Sequence, residues 1–195
     1  MNNIDNDMEY FDIKKFDENK KNGEYYFKTN DGTEVRQIGP LNDKTYNEIG
    51  KNSTSKYGYF KIFHPNLRLK EIGKEFFNMP VGTNKVYDEN GKLIKETNRD
   101  LPYNFSIQDL INKMQKEYKI DILDIKQTKS VFRYVEKEKV KLPLYEVWCY
   151  NQKNDLKLIC YIINGTTGET IYVGERFIEG KQGSLLDQYL NSKKN

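Results

Sequence analysis

The glycines of this chain are distributed unevenly, and their distribution divides the sequence into two parts. Eight glycines break residues 23–100 into short segments, whereas none occurs from Lys92 to Asn164. Short apolar or aromatic runs lie between the first eight, at residues 25–27, 57–63, 86–87 and 93–94. Short strands separated by turn residues are typical of antiparallel sheets, so we predict a β-region over residues 23–100.

Two glycine dipeptides and an internal repeat predict hairpins within this region. Asp31-Gly32 and Asn90-Gly91 each supply a glycine where a tight turn needs positive φ. The pattern that begins at Phe63 returns at Tyr87, 24 residues later, and a weaker third copy covers residues 27–35. Each copy combines an aromatic residue, a turn and an apolar strand, which indicates one hairpin per repeat.

The segment from Pro80 to Leu93 resembles the MORN-like repeats of bacterial proteins. Those repeats place a glycine, an aromatic-rich strand, an Asn-Gly turn and a Lys-Leu strand in order, and Gly82 and Tyr87 fit that order here. The resemblance extends in degenerate form over about residues 55–97. It implies stacked hairpins in one extended sheet, which must pack against something else.

The glycine-poor part begins after a turn-rich junction at residues 97–102. Its best predicted helix starts at Ser106, which forms a capping box with Asp109. Five apolar side chains at helical spacing share one stripe of this helix: Ile107, Leu110, Ile111, Met114 and Tyr118. We predict strands at residues 120–128, 131–135, 145–150, 156–163 and 169–173, a charged connection at 136–143, a loop at 175–183 and a short helix at 185–190.

The last strands resemble the end of a PepSY domain. That family has a Tyr-x-Val strand, a strand closing in an Asp-x-x-Thr-Gly-Glu turn, and a short final strand. Tyr145-Glu146-Val147 and residues 164–169 match these motifs, with Asn164 in place of Asp. The resemblance covers about residues 101–178 and implies a helix packed on an antiparallel sheet.

We therefore predict an α+β protein in three parts. Residues 1–22 form a polar arm, either loose or an irregular first strand. Residues 23–100 form the antiparallel sheet of MORN-like hairpins, and residues 101–195 form the PepSY-like helix-on-sheet domain with its short C-terminal helix.

The two cysteines allow two interpretations. If residues 145–150 and 156–163 form a hairpin, Cys149 and Cys160 share one face with Val147, Leu158 and Ile162. The pair then forms either a disulfide in an oxidising compartment or two small core side chains. The opposite face is either a partner surface or is covered by the predicted helix, and it carries Trp148, Tyr150, Tyr161 and Ile163.

Catalytic, metal-binding and cofactor-binding motifs are not found in the sequence. No phosphate-binding loop, dinucleotide fingerprint, metalloprotease or nucleophile-elbow pattern occurs. His64 is the only histidine and has no matched Cys or Ser neighbour. The 32 basic residues nearly balance 29 acidic ones and are scattered, so the pattern does not favour nucleic acid. No apolar run reaches the roughly 18 residues of a membrane span.

These patterns favour a binding protein over an enzyme. MORN-like modules recur in bacterial immunity proteins and PepSY-like domains inhibit peptidases, so the resemblances imply neutralisation of a cognate toxin or peptidase by occlusion. The alternatives are a cell-envelope PepSY-like module with an unidentified ligand and an unrecognised enzyme. The net charge of +3 argues against a strongly basic nuclease as partner. The predicted partner-binding residues are Tyr57, Tyr59, Phe76, Phe77, Trp148 and Tyr150.

The sequence leaves two alternatives for the cellular compartment and does not indicate how many copies of the chain assemble. Residues 1–11 are polar and acidic and do not look like a signal peptide. A signal or lipoprotein anchor upstream would place the protein in the bacterial periplasm or cell envelope, and otherwise we expect it in the cytoplasm. No pattern indicates the oligomeric state.

Overall fold

A computed structural model describes residues 9–180 and 182–194. The chain divides into two compact units, residues 1–99 and residues 100–195. Each unit combines an antiparallel sheet with helices, which confirms the predicted α+β class. The first part of the predicted polar arm, residues 1–8, lies outside the described residues.

In the described part of the N-terminal unit, seven strands follow one another across a single antiparallel sheet. Strands adjacent in the sequence are therefore adjacent in the sheet, and each pair forms a hairpin. The elements are α1 (Ile13–Asn19), β1 (Glu24–Lys28), β2 (Glu34–Ile38), β3 (Tyr46–Lys51), β4 (Tyr57–Phe63), β5 (Leu69–Phe76), β6 (Met79–Tyr87) and β7 (Leu93–Asn98).

One type of turn recurs in this sheet. It is a five-residue loop closed by two backbone hydrogen bonds, and its fourth residue has positive φ. The loops span residues 29–33, 41–45, 64–68 and 88–92, with Gly32, Lys44, Leu67 and Gly91 in the fourth position. The 24-residue repeat is also present in the strand pairing, because the same bulge occurs where Phe63 faces Leu69 and where Tyr87 faces Leu93.

Residues 9–22 are folded against the sheet, so the alternative of a loose arm is wrong for this part. The alternative of an irregular first strand holds only near Tyr10, which forms an antiparallel bridge with Arg68, because residues 13–19 form α1. Asp12 caps α1 by accepting a hydrogen bond from the Lys15 amide at 3.0 Å. Phe11 and Phe16 are buried, and the ring centroid of Phe11 lies 5.3 Å from that of Phe63. A helix of seven residues is too short for its periodicity to stand out in the sequence.

The C-terminal unit is a four-stranded antiparallel sheet in the order β11-β10-β9-β8, with helices before and after it. The predicted helix and its capping box are confirmed: Asp109 N–H donates to Ser106 Oγ at 3.1 Å, and Ser106 N–H donates to Asp109 Oδ2 at 3.0 Å. The elements are α2 (Ile107–Lys113), a π-helical turn (Met114–Tyr118), β8 (Thr128–Val135), β9 (Pro143–Tyr150), β10 (Lys157–Asn164), β11 (Thr170–Phe177) and α3 (Leu185–Ser192).

A different helical segment covers each face of this sheet. On one face the Tyr118 ring lies 4.5 Å from that of Tyr161, and the Tyr118 hydroxyl donates to Thr170 Oγ1 at 2.7 Å. On the other face, α3 packs against side chains of β10 in a buried cluster that includes Leu158, Cys160, Ile162, Leu185, Leu186 and Tyr189. Coverage of both faces explains why β10 is nearly continuously apolar.

The predicted strand at residues 120–128 is wrong. Asp121 Oδ1 accepts a hydrogen bond from the Leu123 amide at 2.9 Å, and Asp124 Oδ1 accepts one from the Lys126 amide at 2.8 Å. Aspartate side chains that bond to the backbone two residues on favour turns over strands. The apolar residues that suggested a strand are therefore part of a turn segment.

Strand β11 is longer than predicted. It continues beyond residue 173 to Phe177, which pairs with Lys157, so it occupies the start of the predicted loop at 175–183. Lys157 Nζ lies 2.7 Å from Glu175 Oε2 across the same pair of strands. Charged residues at the end of the strand hid its length in the sequence.

Candidate protein-binding surface

The aromatic residues predicted to bind a partner are divided between the two units. Tyr57, Tyr59 and Phe76 belong to strands of the N-terminal sheet, Phe77 lies in the turn after β5, and Trp148 and Tyr150 belong to β9. The Phe76 ring centroid lies 4.9 Å from that of Tyr57 and 5.0 Å from that of Phe77. Phe76 is fully buried, so it supports the neighbouring rings and presents no surface of its own.

Tyr59 is tied into the N-terminal sheet. Its ring lies over Gly50, where a Cβ atom on residue 50 would stand 2.1 Å from the ring. Its hydroxyl donates to Glu48 Oε1 at 3.0 Å, and Gln37 Nε2 donates to Glu48 Oε2 at 2.6 Å. Burial, followed by the neighbouring Glu48 carboxylate, raises the pKa of Tyr59. The Tyr59 hydroxyl thus already has a hydrogen-bond partner within the N-terminal unit.

Phe77 occupies an unusual backbone position. Phe77 and Asn78 form the two-residue turn between β5 and β6, with φ values of 49° and 64°. Two successive positive φ values suit glycine and asparagine, and a bulky side chain in the left-handed region costs about 1 kcal/mol. The Phe77 amide donates to the Lys56 carbonyl at 3.1 Å, and its side chain is half-buried. An aromatic residue at such a position makes this turn a candidate for function.

A recess of about 340 Å³ opens beside this turn, and we name it the turn recess. Lys51 Nζ donates to Asn78 Oδ1 at 2.8 Å, and Lys56 Nζ donates to the Ser53 carbonyl. Both lysines are thus held by neutral oxygens. The residues that line the recess include Glu34, Lys51, Lys56, Tyr57, Glu75 and Phe77.

A groove of about 530 Å³ adjoins the turn recess, because Glu34 and Lys51 line both. We name it the sheet groove. Tyr26, Arg36 and Ile49 stand side by side on one face of β1, β2 and β3, since Tyr26 pairs with Arg36 and Arg36 with Ile49. The sequence did not reveal this groove, because only the pairing register shows that these side chains meet.

The Arg36 side chain is fixed by a carboxylate next to the sheet groove. Arg36 Nε donates to Glu24 Oε2 at 3.2 Å, and Arg36 Nη2 donates to Glu24 Oε1. Together with the hydroxyl of Tyr26, Arg36 lowers the pKa of Glu24. The Tyr26 ring itself is 63% exposed, so the groove combines an ordered guanidinium with an accessible aromatic ring.

Trp148 is engaged within the C-terminal unit. Its Nε1 donates to Glu146 Oε2 at 3.0 Å, and Glu146 Oε1 accepts a hydrogen bond from the Tyr134 hydroxyl at 2.7 Å. The Arg176 guanidinium lies 5.0 Å from the indole centroid. Trp148 packs against the cluster formed with α3, so α3 covers the sheet face that carries Trp148. The predicted alternative, in which α2 covers this face, is therefore wrong. Tyr150 is 37% exposed at the end of β9.

The prediction that the two cysteines share a face is wrong. Cys149 pairs with Ile159 and Cys160 pairs with Trp148, which places the cysteines on opposite faces of the sheet. A shift of one residue in register moves every side chain of a strand to the other face, and the turn after β9 sets that register. Tyr161 is therefore not on the face of Trp148, contrary to the prediction.

The possible disulfide between the cysteines is not formed in this structure. Cys149 and Cys160 are both free and buried. Burial raises the pKa of Cys149 to about 11 and that of Cys160 to about 12. The thiols pack as small core side chains, so they carry no information about the compartment.

His64 is buried, and its Nε2 lies 3.0 Å from the carbonyl oxygen of Tyr87, which joins two neighbouring hairpin loops. Within residues 9–180 and 182–194, no three His, Cys, Asp or Glu side chains gather where they could hold a metal ion. None of the helices in this part of the chain has the length and apolar character to cross a bilayer.

Comparison with known proteins finds no family model, no curated protein and no solved structure that matches this chain. The PepSY-like and MORN-like resemblances therefore stay predictions from the sequence.

Proposed function

We propose that this protein binds another protein and neutralises it by covering part of its surface, without catalysing a reaction. The observation that carries this proposal is the joined turn recess and sheet groove, where aromatic and charged side chains lie together on an open surface. Binding sites between proteins are enriched in aromatic residues and arginine, and these types supply most of the binding energy. Tyr26, Arg36 and Phe77 provide them here.

The resemblances favour a bacterial immunity protein that blocks a cognate toxin, or an inhibitor of a peptidase. Such a protein needs an ordered surface more than a deep pocket. The hydrogen bonds that fix Arg36 and Lys51 hold long side chains in place before a partner arrives, which lowers the entropy lost on binding. The net charge of +3 favours a partner that is not strongly basic.

Co-expression with the product of the adjacent gene tests this proposal. We expect that product to be toxic or proteolytic alone and to form a tight one-to-one complex with this chain, measured by size-exclusion chromatography with light scattering. A neighbouring product that is neither harmful nor bound would contradict the proposal.

A pair of variants then tests the surface. Phe77→Ala should weaken the complex at least about tenfold, because it removes a half-buried aromatic ring that lines the turn recess. Phe177→Ala removes a ring that is 56% exposed in the C-terminal unit and should leave the affinity unchanged. Equal effects of the two variants in calorimetric titration would place the contact elsewhere.

A further inference from the structure

Two lysines of the turn recess, Lys51 and Lys56, form no ion pair with a carboxylate of the described residues, although Glu34 and Glu75 line the same recess. Lys51 Nζ bonds to the Asn78 amide oxygen and Lys56 Nζ to the Ser53 carbonyl. Neither ammonium group makes an ion pair among the described residues, although both lie near other charged side chains. Their partners fix their positions and leave their charges unpaired.

The cations of the neighbouring strands are arranged differently. Arg36 is bonded to the Glu24 carboxylate through two nitrogen atoms, and Lys28 lies 3.8 Å from Glu34. On the other face, Lys61 Nζ lies 3.5 Å from Glu48. Glu34 and Glu75 also line the turn recess, but among the described residues neither carboxylate forms an ion pair with Lys51 or Lys56.

An apolar site lies next to these charges. Lys51 also lines the sheet groove, together with the half-buried Ile49 and the exposed ring of Tyr26. An aliphatic side chain of a partner would cover Ile49 and the Tyr26 ring and remove both from water, which stabilises a complex. Charge and apolar surface therefore meet at Lys51.

We propose that this surface recognises an acidic loop of the partner protein, in which an aliphatic residue is flanked by carboxylates. The carboxylates bind Lys51 and Lys56 in the turn recess, and the aliphatic side chain lies over Ile49 in the sheet groove. The inference rests on the proposed protein-binding function and names the chemistry of its partner. Complementary charge of this kind gives specificity and speeds association.

Titration of the full chain with short capped peptides tests this inference without the natural partner. The acidic probe is acetyl-Gly-Glu-Leu-Glu-Gly-amide, and the comparison probes replace both Glu residues with Gln or with Lys. We expect the acidic peptide to shift the backbone amide signals of residues 49–58 and 75–78 in NMR spectra at low salt. It should bind about fivefold more tightly than the Gln peptide, and the Lys peptide should bind least.

Matched double variants separate this site from general attraction to a basic protein. Lys51→Gln with Lys56→Gln should abolish the preference for the acidic peptide. Lys92→Gln with Lys95→Gln changes the net charge equally, just before β7 and within it, and should leave the preference intact.

Three results would overturn the inference. The first is the absence of shifts at these residues up to about 5 mM acidic peptide, a range that covers millimolar affinities. The others are equal shifts with the Gln peptide and tighter binding of a short oligothymidine than of the acidic peptide. Loss of the peptide preference leaves the proposed occlusion of a partner standing. Failure of co-expression leaves the peptide result standing, so the two failures are distinguishable.

Discussion

The N-terminal and C-terminal sheets differ in how their faces are covered. In the C-terminal unit, α2 with its π-helical turn lies on one face and α3 on the other, and most side chains of β9 and β10 are buried. In the described N-terminal unit, α1 packs with the face that carries Tyr25, Tyr46 and Phe63. On the opposite face, which carries the sheet groove, residues 9–99 place no helix.

This difference in coverage means that one sheet is built mainly of core and the other keeps surface that a partner can contact. A sheet covered on both faces buries its apolar side chains but keeps little surface for a partner. A sheet of glycine-punctuated hairpins keeps rings and charges on an accessible face, and rings such as Tyr59 lie over glycines on the same sheet. We therefore expect the C-terminal unit to depend on core volume and the N-terminal unit to depend on space above its glycines.

Leu110→Ala should have the largest effect on stability. Leu110 is fully buried on α2, and its truncation should lower the free energy of unfolding of the C-terminal unit by about 3 kcal/mol. Urea unfolding followed by the fluorescence of Trp148, the only tryptophan, measures this unit directly. Leu156→Ala is the control, since Leu156 is 71% exposed and should change stability by less than about 0.5 kcal/mol. Similar effects of both variants would contradict a helix-covered core.

Gly50→Ala should destabilise the N-terminal unit by about 2 kcal/mol, because the new methyl group would meet the Tyr59 ring at 2.1 Å. Amide hydrogen exchange of residues 34–51 would measure the loss. Tyr59→Ala should lower the free energy of unfolding less in the Gly50→Ala variant than it does in the native protein. If the two costs simply add, Tyr59 does not lie over Gly50.

The buried thiols report whether both faces of the C-terminal sheet are closed. At pH 8 Cys149 and Cys160 should resist a thiol reagent in the folded protein and react in urea, and the unreduced mass should show no disulfide. Because folding raises the pKa of each thiol, the protonated thiols contribute fully to the free energy of unfolding below the unfolded pKa of about 9. This contribution should be lost as the pH rises through the folded pKa values, about 11 for Cys149 and about 12 for Cys160. Rapid reaction of one folded cysteine would show an open face.

Acidification should have the smallest, most local effect, at the loop after β8. Glu136 accepts hydrogen bonds from several backbone amides, that of Val140 at 2.7 Å, and these bonds lower the pKa of Glu136 to about 2. Because the folded pKa is depressed, the contribution is complete above pH 4.5 and is lost as pH falls through about 2. The Val140 amide signal should follow this titration. Glu136→Gln should shift that signal at neutral pH, whereas Glu138→Gln should leave it in place.

Local signals in the sequence predicted the local structure. The glycines of Asp31-Gly32 and Asn90-Gly91 lie in hairpin loops with positive φ, and Ser106 and Asp109 form the capping box. The 24-residue repeat corresponds to hairpins that share one bulge. In these cases the residue types themselves favour the local backbone conformation.

Features that depend on contacts distant in sequence were not predictable in the same way. Lys44 occupies a loop position that glycine fills elsewhere, so the loop at residues 41–45 gave no signal. The face of each cysteine depends on one residue of register, and the pairing of Tyr26 with Arg36 depends on the whole hairpin. The candidate surface belongs to this second class, because it is assembled from five strands and the turns between them.

Hydrogen exchange of the complex with the adjacent gene product, compared with the free chain, shows which sheet the partner covers. If the partner covers the sheet groove and the turn recess, binding slows exchange in residues 24–28, 49–58 and 75–78 and leaves residues 128–177 unchanged. Slower exchange confined to the C-terminal sheet, with the N-terminal strands unaffected, would contradict binding at the groove and the recess.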